Sequence, residues 1–255
     1  MATFAQLQTR VGQIIIDLPA TVTAQLPSLV NEALKELQDL HNFKVMEKVS
    51  SVYTTTAESS TLATKPTDFK EFRGKPILIN ALGDIQRMEV VSGREEAWSY
   101  YGTDAGGEAS VDVLKGRPRV LWISEPSDEL GTASFQIAPL PDALSLYTNG
   151  NYRILVPYWR YLTTLSGSSD TNWFTINGEE WIVFKAASMG FFDDHNDEKG
   201  TLWANLAAGK WQQILKADKR LRASQRDTLI PQPEAMRGPL SRGGRWGGWR
   251  GWRGV

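Results

Sequence analysis

Apolar residues near the start of the chain recur three or four positions apart, the spacing of an amphipathic helix. They are Phe4, Leu7, Val11, Ile14 and Ile15. Thr3 and Gln6 stand at the spacing of a capping box, in which each residue satisfies a backbone N–H of the other. We therefore predict a first helix that begins after Thr3 and that Pro19 ends.

A second apolar stripe follows within a few residues. It predicts a helix that begins near Thr23 and tolerates Pro27 in its first turn. The stripe consists of Leu26, Leu29, Val30, Ala33, Leu34, Leu37 and Leu40. Two amphipathic helices joined by a short turn indicate a helical hairpin over residues 1–43.

From Lys44 onwards the pattern changes to short apolar runs separated by turn-forming residues. Strands are expected at 76–81, 88–91, 97–101, 120–123, 134–137, 144–148 and 152–157. Residues 148–151, Thr-Asn-Gly-Asn, have the composition of a tight hairpin turn. Because no helical pattern separates these runs, we predict an antiparallel β domain, a sandwich or a barrel, over residues 44–176.

Helical periodicity returns after Asn177 and continues to about Ser224. One helix is expected around Trp181, Ile182, Ala186 and Met189. The stripe of a longer helix is formed by Trp203, Leu206, Ala207, Lys210, Trp211, Ile214, Asp218 and Leu221. The predicted class is α+β: the helix pairs at 1–43 and 177–224 form one bundle, the β domain is inserted between them, and an extended arm follows at 225–255.

The C-terminal arm lacks the aliphatic side chains of a core. Its last 18 residues, 238–255, contain seven glycines, so the free segment is expected to be a flexible coil. Arginine and tryptophan, however, are the residue types enriched at binding hot spots. We predict that the arm holds a partner through Arg242, Arg245, Trp246, Trp249, Arg250, Trp252 and Arg253.

Charge is divided unevenly along the chain. The whole sequence has a net charge of −1, but residues 226–255 carry +4, which leaves −5 on the remainder. An acidic body with a basic tail indicates that the tail interacts with another molecule. One alternative is a nucleic-acid-binding protein, whose tail would stack tryptophans on bases and pair arginines with phosphates. One Arg-Gly-Gly triplet, at 242–244, and two Arg-Gly pairs, at 250–251 and 253–254, support it.

The residues that usually carry catalysis are scarce. The chain has no cysteine, which excludes disulfides, thiolate metal sites and cysteine nucleophiles. His41 is expected near the end of the second helix, in a capping role. The acidic cluster around His195 lacks the spacing of a calcium loop and is expected to be a turn between helices. We predict that the protein is not an enzyme and has no cofactor or metal.

Several short motifs occur in a characteristic order along the chain. They are Leu-Val-Asn-Glu-Ala at 29–33, Thr-Lys-Pro-Thr-Asp-Phe at 64–69, Ile-Ala-Pro-Leu-Pro-Asp at 137–142, the apolar run 152–160, and Asp-Thr-Asn-Trp-Phe at 170–174. In this order they resemble the head-to-tail adaptor (connector) proteins of tailed bacteriophages, over residues 3–225. Lys65 stands where that family usually has leucine, and residues 242–255 of the arm match no pattern of the family.

The resemblance implies a dodecameric ring at the head–tail interface of the virion, assembled in the host cytoplasm. Its partners would be the portal protein on one side and the tail tube, nozzle or another tail protein on the other. Genomic DNA would pass through the lumen without sequence-specific binding, and the arm would reach along the portal. No membrane is expected among the partners, because no apolar run is long enough to span one.

A second alternative is another tail module, with a carbohydrate-binding β domain. It rests on the aromatic residues of the β region, which would form a sugar platform. They are Trp98, Tyr100, Tyr101, Trp122, Tyr158, Trp159 and Tyr161.

Overall fold

The computed structural model describes residues 2–17, 19–80, 83–101, 115–124, 133–142 and 152–227. It confirms the α+β class. The helices are α1 (Phe4–Ile14), α2 (Ala20–Thr23), α3 (Leu26–Leu40), α4 (Arg94–Tyr101), α5 (Trp173–Asn177), α6 (Glu179–Asp193) and α7 (Asp197–Asp227), with a 3-10 turn at Lys44–Met46.

The strands are short and lie between α3 and α5 in sequence. They are β1 (Glu47–Val49), β2 (Tyr53–Thr54), β3 (Thr61–Thr64), β4 (Phe69–Phe72), β5 (Ile77–Ile79), β6 (Ile85–Arg87), β7 (Glu89–Val90), β8 (Lys115–Gly116), β9 (Val120–Ser124), β10 (Ser134–Ala138), β11 (Leu140–Pro141), β12 (Arg153–Leu155) and β13 (Pro157–Arg160). The strand orders within the sheets are β1-β13-β4, β3-β10-β9-β7, β11-β8 and β2-β12-β5-β6.

One hydrophobic core joins helices from both ends of the sequence. The capping box of Thr3 and Gln6 begins α1, as predicted. The buried stripes of α1 and α3 then pack against α6, and α6 packs in turn on α7, with Leu7, Leu37 and Ile182 fully buried. Full burial of each such side chain stabilises the fold by about 1.5–3 kcal/mol.

A second core fills the space between the sheets. It contains Leu78, Phe135, Ile154 and Tyr158, all buried. Phe69 stacks on Tyr158 with ring centroids 5.3 Å apart. The aromatic residues of this region therefore serve largely as core.

Most strand pairs are antiparallel, but two are parallel, and this corrects the prediction of an antiparallel domain. Strand β7 pairs in parallel with β9, and β8 pairs in parallel with β11. A parallel pair needs a crossover connection, and α4 lies in the connection from β7 to β9. The β region is thus mixed.

The strand predicted at 97–101 is wrong, because these residues form the second half of α4. The backbone N–H of Ser92 donates a 2.6 Å hydrogen bond to the Glu96 carboxylate, and Glu95 and Glu96 lie in the first turn. Acidic residues there interact favourably with the helix dipole. Ala97 is buried against Val91 and Val120. Local capping and this packing outweigh the β preference of the aromatic residues.

Other predicted bounds shift. Helix α1 ends at Ile14, ahead of Pro19, and the run at 152–157 is divided between β12 and β13, which belong to different sheets. The strand at 144–148 and the turn at 148–151 lie outside the described residues.

Helix α7 continues to Asp227, three residues into the segment assigned to the arm. Leu206 was placed on the buried stripe of α7 but is 42% exposed, because α6 covers only one face of that helix.

Candidate functional site

Asp218 is a buried carboxylate at the point where α7 meets the end of α3. Only 3% of its side chain is exposed. It accepts hydrogen bonds of 2.7 Å from the backbone N–H of Lys44 and from Nε of Arg222. Nη2 of Arg222 donates in turn to the carbonyl oxygen of Asn42, at 2.6 Å. We call these four residues the Asp218 clamp; it ties the last helix to the connection between α3 and β1.

The clamp determines where the chain continues towards its C-terminus. Helix α7 ends nine residues after Asp218, at Asp227. All seven predicted partner-binding residues follow this point and lie outside the described residues: Arg242, Arg245, Trp246, Trp249, Arg250, Trp252 and Arg253. The structure therefore describes the base of the arm and not its candidate contacts.

The segment after β13 is fastened along α3 by side-chain amides. Asn31 donates from Nδ2 to the carbonyl oxygen of Leu165 and accepts from its N–H, both at 3.0 Å. Oε1 of Gln38 accepts from the N–H of Leu162 at 2.5 Å. These bonds hold an irregular segment in place where a strand partner is missing.

Tyr161 adds a side-chain link to α3. Its hydroxyl donates to Oδ1 of Asp39 at 2.7 Å. This hydrogen bond, with burial, raises the pKa of Tyr161 to about 12, because the nearby carboxylate disfavours the phenolate.

A second polar network joins β1, β13 and the turn before β4. Asp68 accepts hydrogen bonds from Nζ of Lys48 at 2.7 Å and from the hydroxyl of Tyr158 at 3.0 Å. Burial opposes ionisation of Asp68, but the two donors outweigh it, so its pKa is lowered. The same contact with Asp68 raises the pKa of Lys48.

The two histidines have structural positions. His41 is the C-cap residue of α3, which confirms its predicted capping position. Its Nε2 lies 3.6 Å from Asp218. His195 occupies the turn between α6 and α7 with a φ of 59°, and Oδ1 of Asn196 accepts the N–H of Lys199 at 3.2 Å to begin α7. Among the described residues, no group of three or more His, Asp or Glu side chains is placed to hold a metal ion.

The paired carboxylates Glu179 and Glu180 begin α6 and are both engaged in ion pairs. Glu179 pairs with Arg10 of α1, and Glu180 pairs with Nζ of Lys210 of α7 at 2.7 Å. They therefore connect three helices; they do not face each other across a cleft as a catalytic pair would.

Among the side chains that the structure describes, the aromatic residues proposed as a sugar platform do not gather on one surface. Trp122 and Tyr158 are buried in two different hydrophobic clusters. The ring of Trp159 is covered by the guanidinium groups of Arg73 and Arg222, at 5.8 and 5.9 Å. The side chains of Trp98, Tyr100 and Tyr101 lie outside the described residues.

A pocket of about 640 Å³ opens beside β9 and β10. Hydroxyl, amide and guanidinium groups line it, from Ser60, Thr61, Ser92, Arg94 and Gln136. Trp122 also borders it, but this residue is only 5% exposed and offers little ring surface for stacking.

Within the described ranges, no helix combines the length and apolar character needed to cross a membrane.

Comparison with known proteins identifies a family that spans both the helices and the sheets. The sequence matches the family described as SU10 adaptor protein over residues 2–240. A search of the curated proteins gives no match.

Proposed function

Since the chain belongs to the SU10 adaptor protein family, we propose that it forms a dodecameric ring that joins the portal protein to the tail and continues the DNA channel. The family match confirms the resemblance to phage head-to-tail adaptors. A phage adaptor is a component of the virion. The partner on the tail side is the tail tube, the nozzle or another tail protein.

The extent of the match is the observation that carries this proposal. It covers residues 2–240 of the 255 in the sequence and so includes both hydrophobic cores. We propose the corresponding division: helices of 1–43 and 177–224 form the body of the ring subunit, 44–176 form its β domain, and 225–255 form the arm.

A ring subunit that transmits load between head and tail must be rigid, and the described contacts support this property. The Asp218 clamp ties the end of α7 to the start of the β region, and Tyr161 ties the end of β13 to Asp39 of α3. Polar contacts between distant segments, here the part-buried bond of Asp218 and the exposed bond of Tyr161, restrict relative motion of the elements that they join.

The charge distribution is compatible with passage of DNA. A basic lumen would bind phosphates tightly, whereas the chain before residue 226 carries −5. We propose that the lumen is lined by this acidic body, and that DNA slides through it without being held.

The arm is proposed to dock on the portal or on a neighbouring subunit. Its +4 charge and three tryptophans provide electrostatic attraction and aromatic anchors. Fully extended at ~3.3–3.6 Å per residue, the segment has a reach on the order of 100 Å, enough to cross a neighbouring subunit.

Native mass spectrometry of the full chain mixed with its cognate portal tests this function. The expected result is a complex that contains adaptor and portal subunits in equal or simply related numbers. A chain that binds oligonucleotides at low salt, releases them steeply as salt rises and ignores the portal would instead be a nucleic-acid-binding protein.

A further inference from the structure

Helix α6 lies between α1 and α7, so these two helices form opposite flanks of the helical layer. Two residues of α6 that lie about 200° apart around the helix show this arrangement. A Cβ placed on Gly190 would lie 3.6 Å from Cδ1 of Ile15, the C-cap residue of α1, whereas the hydroxyl of Ser188 donates to the carbonyl oxygen of Gly200 in α7. At this end of α6 the outward faces of α1 and α7 therefore point away from each other.

The outward face of α7 is unusually poor in charge. Its exposed positions follow a helical spacing, at Leu202, Leu206, Gly209 and Gln213, and Leu202 is 56% exposed. Between Lys199 and Lys216 the only charged residue of α7 is Lys210, which is engaged with Glu180. A helix face that remains in water normally carries charged residues, so this face has the composition of one that is covered.

The outward face of α1 has the same character. Gln6, Thr9 and Gln13 are exposed along the helix, and Ile16, just past its end, is 74% exposed. Arg10, the charged residue within α1, is engaged with Glu179, and Asp17 follows Ile16 at the end of this face.

The apolar residues of the two faces also lie at the same level along the axis of α6. At one end of α6, a Cβ placed on Gly190 would lie 3.6 Å from Cδ1 of Ile15, and the hydroxyl of Ser188 donates to the carbonyl oxygen of Gly200 at 2.9 Å. Ile16 and Leu202 therefore lie at the same end of the layer. The polar positions Gln6 and Gln213 lie towards the other end, where Arg10 and Lys210 pair with α6.

We propose that the α7 face of one copy packs on the α1 face of the next copy. If neighbouring copies are related by rotation about an axis parallel to α6, each residue keeps its position along that axis. The rotation therefore brings Ile16 of one copy opposite Leu202 and Leu206 of its neighbour. Such an interface is heterologous, and its repetition closes into a ring when the rotation allows. A two-fold contact of α7 with α7 would leave the α1 face bare.

This inference rests on the proposed function, since it names the surfaces from which the proposed ring is built. The natural sequence has no cysteine, which permits a clean cross-linking test. Ile16→Cys and Leu202→Cys are made singly and together in the full chain and treated with a short bis-maleimide. Ile85→Cys serves as the matched control, because Ile85 is 70% exposed but lies on β6, away from both flanks.

The double variant Ile16→Cys/Leu202→Cys should give a ladder of covalent oligomers, and an equal mixture of the two single variants should give dimers only. These products should form about tenfold faster than those of Ile85→Cys mixed with Leu202→Cys, because the interface raises the effective concentration of the two thiols. Rates equal to the control, or rapid dimers from Leu202→Cys alone, would overturn the proposal. If rings with the portal are seen while cross-linking stays at the control rate, only the assignment of the faces fails; if no complex with the portal forms, the proposed function fails.

Discussion

The carboxylate of Asp218 accepts the backbone N–H of Lys44 at 2.7 Å, across 174 positions of sequence. The contact joins the last helix to the 3-10 turn that leads from α3 into β1, so it couples the C-terminal helix to the start of the β region. It also lies nine residues before the end of the described α7. The base of the arm is thereby fixed relative to the β region.

Replacement of Asp218 by alanine should destabilise the fold. The change leaves the N–H of Lys44 without its acceptor and removes the ionic partner of Arg222. Loss of a buried charged acceptor of this kind costs about 1–3 kcal/mol. Urea unfolding followed by circular dichroism measures the change. Lys219→Ala, at an exposed neighbouring position on α7, is the control, and its free energy of unfolding should stay within about 0.5 kcal/mol of that of the natural protein. An unfolding midpoint for Asp218→Ala equal to that of the control would show that the clamp is dispensable.

The effect of Tyr161→Phe on the free energy of unfolding should change with pH in the alkaline range. The hydrogen bond to Asp39 raises the pKa of Tyr161 to about 12 in the folded protein, above its ordinary value of 10.0. A tyrosine whose pKa is raised by folding stabilises the fold at pH values below its ordinary pKa. This contribution is lost as the pH rises through the pKa of the folded state. The difference in unfolding free energy between the natural protein and Tyr161→Phe should therefore shrink from pH 10 to 12. A difference that stays constant over this window would contradict the assignment.

Asp68→Asn tests the polar network of Lys48, Asp68 and Tyr158 at acidic pH. The pKa of Asp68 is lowered from 3.8 in the folded protein, so its ionised form stabilises the fold above that pH and the contribution disappears as pH falls through the folded pKa. We expect Asp68→Asn to be less stable than the natural protein at neutral pH and to approach it in acid. Asp17→Asn, at an exposed position after α1, is the matched control and should change the free energy of unfolding by less than about 0.5 kcal/mol at neutral pH. Parallel acid-unfolding curves for the natural protein and Asp68→Asn would rule out this role.

Removal of residues 238–255 should leave the body folded and weaken attachment to the portal. The deleted residues follow α7, and the buried residues of the two described cores all precede residue 215. Circular dichroism should be nearly unchanged, while affinity for the portal, measured by biolayer interferometry, should fall.

Replacement of Trp246, Trp249 and Trp252 by alanine should reproduce much of that loss of affinity. Each tryptophan that anchors a partner contributes about 2–4 kcal/mol to binding. Ser241→Ala, in the same segment, is the matched control and should bind normally. Normal attachment of the triple variant would show that the tryptophans are not the anchors.

Much of the helical layer could be predicted from local signals. The stripe from Phe4 to Ile15 and the capping box of Thr3 predicted α1, and the spacing Trp211, Ile214, Asp218 placed the clamp carboxylate on the inner stripe of α7. Local signals are sufficient there because helix periodicity and capping depend on residues a few positions apart.

The sequence did not predict the features that depend on distant partners. The run at 97–101 has strand-like composition, yet capping by Glu96 and burial of Ala97 make it helical. The parallel pairing of β7 with β9 depends on the crossover that contains α4. Nothing near Lys44 in sequence indicates that its N–H is bound by Asp218, because hydrogen bonds between distant segments leave no local periodicity.

Electron microscopy of the purified full chain with its cognate portal tests the adaptor function most directly. Negative-stain images should show closed rings with a central channel, stacked coaxially on the portal. A chain that remains monomeric beside intact portal rings, at concentrations where both proteins are stable, would contradict the account.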